Sequence, residues 1–188
     1  MDALFAQLDK IVPLSDACKN YLRQHLSCKK YQKDELLLSP GMICTDMAFI
    51  HSGFLEVYAP SMKGMITTRF LVTGDLYLSV ISFYQQTPAV EYTKALDDTI
   101  LCLLTYDQMK QAFELHPDFY RLVIALSLKA ISSQLSCIYM MRMRERYTWL
   151  RRTYRNALPS YRQHIAICVG LTPEIIKKLR KRNPKLKK

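Results

Sequence analysis

Residues 161–182 read YRQHIAICVG LTPEIIKKLR KR. Arg162 to Val169 form one short helical segment, which Gly170-Leu171 interrupts. Thr172-Pro173-Glu174 then opens a second helix: threonine as N-cap, proline at N1, and an acid in the first turn, where the helix dipole favours it. Ile175, Ile176 and Leu179 supply an inner face, leaving Lys177, Lys178, Lys181 and Arg182 on the outer one. Ala166 lies four positions before the glycine, where two crossing helices leave room only for a small side chain. A helix, a glycine turn and a second helix with a basic outer face predict a helix-turn-helix over 147–188.

Charge along the chain agrees with this. Of the 188 residues, 27 are Lys or Arg and 16 are Asp or Glu, a net of +11. Up to Met141 there are 12 basic and 14 acidic residues; from Arg142 onward there are 15 basic and 2 acidic ones, Glu145 and Glu174. So uneven a distribution describes a near-neutral body carrying a module for a polyanion. Arg142, Arg144, Arg146, Arg151, Arg152 and Arg155 precede Tyr161 and suit phosphate contacts.

The N-terminal part has a different texture. Asp2 to about Lys30 reads as helix, with Ser15-Asp16 as a polar start. Gly41, Gly53, Gly64 and Gly74 then recur at intervals of 12, 11 and 10 residues. Around them lie runs rich in branched and aromatic residues: 35–38, 48–50, 54–58, 66–72, 91–96 and 99–104. Short strands with turn signals at near-regular spacing predict an antiparallel sandwich or barrel. Asp107 to Leu115 reads as a short helix before His116-Pro117.

From Pro117 the chain runs to Tyr154 without Gly or further Pro, which predicts one long helix, with 117–146 as the dimerisation element. Phe119, Val123, Leu126, Ala130, Ser133, Cys137 and Met140 follow 4-3 spacing, the seam of a coiled coil. The expected dimer seam is Val123 to Met140. Ile124, Leu128, Ile131, Leu135 and Ile138 form a second stripe. One stripe packs on the barrel, and the other needs a partner.

Several function classes are excluded. No apolar stretch approaches the roughly 18 residues of a membrane span, and Met1–Lys10 holds Asp2 and Asp9 rather than a secretion signal. A cytoplasmic location without membrane contact is the expectation. The five glycines are too dispersed for a P-loop or a dinucleotide fingerprint. There is no G-x-S-x-G or H-E-x-x-H and no carboxylate pair placed for acid–base work, so an enzyme is not expected. The six cysteines, at 18, 28, 44, 102, 137 and 168, show no C-x-x-C spacing and read as buried small hydrophobes. His164 and Cys168, one helical turn apart, give only two ligands, so neither metal nor cofactor is expected.

The order of barrel, long helix and helix-turn-helix resembles the Crp/Fnr family of transcription regulators over nearly the whole chain. Pro40-Gly41, Phe49-Ile50, Ser52-Gly53, Val57-Tyr58 and Gly74-Asp75 carry the likeness to its cyclic-nucleotide-binding domain. Phe83-Tyr84, Pro88-Ala89 and Glu91-Tyr92 look most like a subgroup common in Bacteroidetes. The resemblance implies an α+β protein: an antiparallel double-stranded β-helix, or jelly-roll, over 1–116, then the dimerisation helix and the helix-turn-helix. It also implies a ligand pocket at Gly74-Asp75-Leu76 and Ala89-Val90-Glu91. Members that bind cyclic AMP carry Gly-Glu-Leu and then Arg-Ser. Here the acid is one methylene shorter and Ala89-Val90 replaces the arginine position, removing the bidentate phosphate partner, while Glu91 would repel a phosphate. Cyclic AMP is therefore not expected to bind in the usual way.

The resulting expectation is a homodimer on double-stranded DNA, answering to an unknown small-molecule effector. Its DNA contacts would be Arg162, Thr172, Glu174, Lys177, Lys178, Lys181 and Arg182, with Arg152 on the backbone. The alternative is a small-molecule-binding barrel whose C-terminal segment is degenerate or binds protein.

Overall fold

The computed structural model describes residues 1–62, 64–135, 141–154, 171 and 173–182. They divide into two compact units, 1–128 and 129–188. The first unit opens with helices α1 (Asp2–Leu8) and α2 (Asp16–His25). Eight strands follow: β1 (Ser27–Tyr31), β2 (Leu36–Leu38), β3 (Asp46–Ser52), β4 (Phe54–Ser61), β5 (Gly64–Val72), β6 (Leu76–Tyr77), β7 (Tyr92–Ala95) and β8 (Thr99–Thr105). Helix α3 (Val80–Gln85) lies between β6 and β7, and α4 (Tyr106–Leu115) follows β8.

The strands form two four-stranded sheets, in the orders β1-β8-β3-β6 and β2-β7-β4-β5, with every pairing antiparallel. That alternation of strands between two sheets is the jelly-roll order. Ala48, Ile50, Leu55, Val57, Leu71, Tyr77, Ala95 and Leu101 fill one core cluster of the strands. A second cluster joins β3 and β8 to the helices, with Phe49 edge-on to Phe119 at 6.4 Å.

Local chemistry explains where the sequence reading of the N-terminus fails. The helical reading of Asp2 to about Lys30 resolves into two helices and a strand. Asp9 accepts from the Leu14 N–H at 3.0 Å across the break that contains Pro13, and the Ser15 hydroxyl caps α2 by accepting from Cys18 N–H. Leu26 turns extended, and the mostly exposed strand β1 is defined by its pairing with β8 rather than by an apolar pattern of its own.

At Gly53, φ is +117° and an added Cβ would lie 2.6 Å from the Thr99 Cα. Only glycine fits there.

Helix α5 (Pro117–Leu135) begins in the first unit, but the expected long helix does not continue unbroken. A separate helix, α6 (Met143–Thr153), starts after Arg142, which is extended at φ −70°, ψ 159°. The cause is a capping box: the Arg142 N–H donates to the Glu145 carboxylate at 2.7 Å, satisfying a donor at the helix start. In the second unit Tyr147 and Leu150 are buried along α6. The last described element is α7 (Pro173–Arg182).

Candidate functional site

The expected pocket residues lie around the β5–β6 turn and the segment from α3 to β7. Gly74 takes φ +90° in that turn, and its N–H donates to the Ile50 carbonyl at 2.9 Å. The Asp75 carboxylate accepts from the Val72 N–H at 2.9 Å and so helps to close the turn. Leu76 pairs with Phe49 in the β3–β6 ladder.

Ala89 is buried and exchanges backbone hydrogen bonds with the loop at 41–42: its N–H donates to the Met42 carbonyl, and its own carbonyl accepts from Gly41. Val90 is exposed. The Glu91 carboxylate, expected to repel a phosphate, forms an ion pair with Arg69 from β5 at 2.9 Å. This corrects the sequence reading, because β5 brings to Glu91 a cation 22 positions away in the chain. The Arg69 guanidinium also donates to the Leu78 carbonyl at 3.0 Å, and its buried Nε has no hydrogen-bond partner. Beside it, the Tyr77 hydroxyl donates to Thr93 Oγ1 at 2.9 Å; burial pushes the Tyr77 phenol well above its usual range.

The residues expected to form a dimer seam divide between two environments. Val123 and Leu126 are buried with Phe119 and Leu122 in the core of the first unit, because this face of α5 covers the barrel. The exposed apolar face of α5 is the second stripe, with Ile124, Leu128 and Ile131 all exposed, while Ala130 is exposed beside it. Cys137 and Met140 lie outside the described residues, as does the side chain of Ser133.

In the second unit, Glu174, Lys177, Lys178 and Lys181 are exposed on α7, at the 3-4 spacing of one helix face. Ile176 and Leu171 are buried, and Ile175 and Leu179 are half-buried. Arg152 is exposed on α6. Arg162, Thr172 and the first helix of the expected helix-turn-helix, with His164, Ala166, Cys168 and Gly170, lie outside the described residues, as does the side chain of Arg182.

Two groupings were invisible to spacing. Cys28 and Cys102 face each other across β1 and β8. Cys18, His116 and Asp118 bring potential ligand atoms within 4.8 Å of one another. Asp118 serves the helix junction there, accepting from the Ser15 N–H at 2.6 Å and the Phe119 N–H at 3.1 Å. Burial opposes its charge, but these hydrogen bonds outweigh that cost and hold the carboxyl below its usual range.

Residues 28–116 match the cyclic nucleotide-binding domain. No curated protein matches the chain in sequence. Among solved structures the chain is similar to FixK2 from Bradyrhizobium japonicum, at 20% identity over 84% of this chain and 83% of that one, with a TM-score of 0.64. It is similar to a protein of Eubacterium rectale described as a Crp/Fnr-family transcriptional regulator, at 20% identity over 90% and 83%, TM-score 0.60. The catabolite activator protein of Thermus thermophilus matches at 14% identity over 92% and 84%, TM-score 0.53. Residues 28–116 thus match the cyclic nucleotide-binding domain in sequence, and the chain is similar in fold to structures that include a Crp/Fnr-family regulator.

Proposed function

We propose that this chain is a homodimeric, sequence-specific DNA-binding regulator of Crp/Fnr type, close to the Bacteroidetes-like subgroup, acting in the cytoplasm and not as an enzyme. The observation that carries this reading is the joining, in one chain, of a cyclic nucleotide-binding barrel to a short helix whose exposed face is Glu174, Lys177, Lys178 and Lys181. Lysine suits guanine O6 and N7, and glutamate suits cytosine N4, so this face reads bases in a major groove. Arg152 and its neighbours hold the phosphate backbone.

The barrel senses a small molecule that is not cyclic AMP held in the usual manner. Ala89-Val90 offers no guanidinium, Asp75 is engaged in its turn, and Glu91 neutralises Arg69. An effector acts by favouring one arrangement of the paired recognition helices, through its differential affinity for the two states. Calorimetry with cyclic AMP should give no saturable heat; tight binding would overturn this part of the reading.

Dimerisation uses the face of Ile124, Leu128 and Ile131. Leu128→Glu with Ile131→Glu should yield monomers in sedimentation. An unchanged dimer would place the interface elsewhere.

DNA binding is tested by selecting duplexes from a random library and measuring anisotropy. The expected sites are pseudo-palindromes with half-sites about 10 base pairs apart. If no duplex binds better than random DNA, sequence-specific recognition is lost as a function of this chain.

A further inference from the structure

Strand β1 is the edge strand of its sheet, and Cys28 sits in register opposite Cys102 on β8. Their sulfurs are 2.8 Å apart, against the roughly 2.05 Å of a disulfide bond, so little movement separates the dithiol from the bonded form. The two thiols differ in access. Cys28 is exposed, whereas Cys102 is 1% exposed and belongs to the core. Among the described residues no other two thiols are within hydrogen-bonding reach of each other.

We propose that Cys28 and Cys102 are a thiol modification site, which a low-molecular-weight disulfide oxidises reversibly to an intrachain disulfide. Cys28 is the entry point because it alone of the pair meets solvent. Exposed Lys29 and Lys30 follow it and favour an anionic reagent such as oxidised glutathione. The Cys28 thiolate attacks one sulfur of R–S–S–R; that bond breaks, a thiolate RS⁻ leaves, and a mixed disulfide forms at Cys28. Cys102 then gives its proton to the departed thiolate and attacks the Cys28 sulfur, expelling the second RS⁻, which takes up the proton of Cys28. Two electrons pass from the protein dithiol to the small disulfide, which ends as two RSH. Burial, with the neighbouring Cys28, pushes the Cys102 thiol up to about 12, which makes it the poorer first nucleophile of the two; the 2.8 Å approach of its sulfur to Cys28 is what places it for the second step. The product ties the edge strand to β8 and links positions 74 apart in the chain, closing a loop that contains β2 to β7.

Treating the full chain with oxidised glutathione tests this, by intact mass, peptide mapping after alkylation, and thermal melting. The expected product has lost two hydrogens, links the peptides of Cys28 and Cys102, melts higher than the reduced chain because the unfolded state is constrained, and reverts with dithiothreitol. Cys102→Ala should retain glutathione at Cys28. Cys28→Ser, at an exposed position, should leave Cys102 a free thiol that is alkylated once the chain is denatured, and abolish the redox dependence of melting. Stable glutathione on Cys28 of the unaltered chain, linkage to a different cysteine, or two thiols that remain fully alkylatable would each overturn the proposal.

Discussion

The two units of the chain use polar side chains in opposite ways. In residues 1–128 several of these groups are turned on the unit itself. Asp75 closes a turn, Asp118 joins α2 to α5, Lys19 pairs with Asp9 at 2.7 Å, and Glu91 pairs with Arg69. In the second unit the 3-4 face of α7 leaves Lys177, Lys178 and Lys181 in water, with Ile176 buried behind them. Substitutions in the barrel should therefore cost stability, and substitutions on α7 should cost binding while leaving stability alone. That dissociation is what the following changes can break.

The largest effect is expected at Gly53. Alanine there combines a strained positive φ, about 1–3 kcal/mol, with overpacking of about 1–3 kcal/mol, because its Cβ would press on the Thr99 backbone. A loss of about 4 kcal/mol in urea unfolding is expected. An unfolding curve within 1 kcal/mol of the unaltered chain would mean that the 52–54 turn is less constrained than its geometry implies.

Next comes Lys178→Ala on α7. It should reduce discrimination at one base position by about 1–3 kcal/mol, with an unchanged unfolding midpoint because the side chain is exposed. Equal weakening on every duplex would reduce α7 to an electrostatic clamp.

The helix junction follows in size. Asp118→Ala removes the acceptor for the Ser15 and Phe119 N–H groups and should cost about 1–2 kcal/mol. The folded-state pKa of Asp118 is lowered, so its contribution is fully present above the ordinary value of 3.8 and is lost as pH falls through the depressed folded value. The acid limb of the stability curve should be shallower in the variant. An identical limb would assign acid sensitivity to other carboxylates.

Much of this fold is legible in the sequence. Six of the eight strands coincide with apolar runs set off by turn residues, and Gly53 and Gly74 mark turns that need positive φ. What escapes has a common cause. Strand β1 shows SCKKY, with only Tyr31 buried, and β6 is two residues long; both exist through pairing with distant strands. The break at Arg142 rests on a capping box with Glu145, a local signal overshadowed by the absence of Gly and Pro. At the pocket, Asp75, Glu91 and Arg69 are visible as residues, but the Arg69–Glu91 ion pair is not, because spacing does not say which side chains of β5 and of the segment before β7 meet. The two stripes of α5 are legible, yet which one meets the barrel is decided by Phe49 reaching Phe119 from β3.

The smallest expected effect separates phosphate from base contacts within the basic region itself. Arg152 is exposed on α6, in the last turn, next to Arg151. If it neutralises one phosphate, Arg152→Ala should weaken specific and random duplexes alike. It should also lower the slope of log K against log salt by about 0.9, the counterion release of a single B-DNA phosphate. Stability should not change, because the side chain is exposed. Comparing its salt titration with that of Lys178→Ala on a matched pair of duplexes, one selected and one scrambled, resolves the two roles. Lys178→Ala should narrow the gap between the duplexes, whereas Arg152→Ala should shift both lines together and flatten them. Were Arg152→Ala to leave the slope intact and narrow the gap, α6 would be reading sequence, and the division of labour between α6 and α7 would have to be reversed.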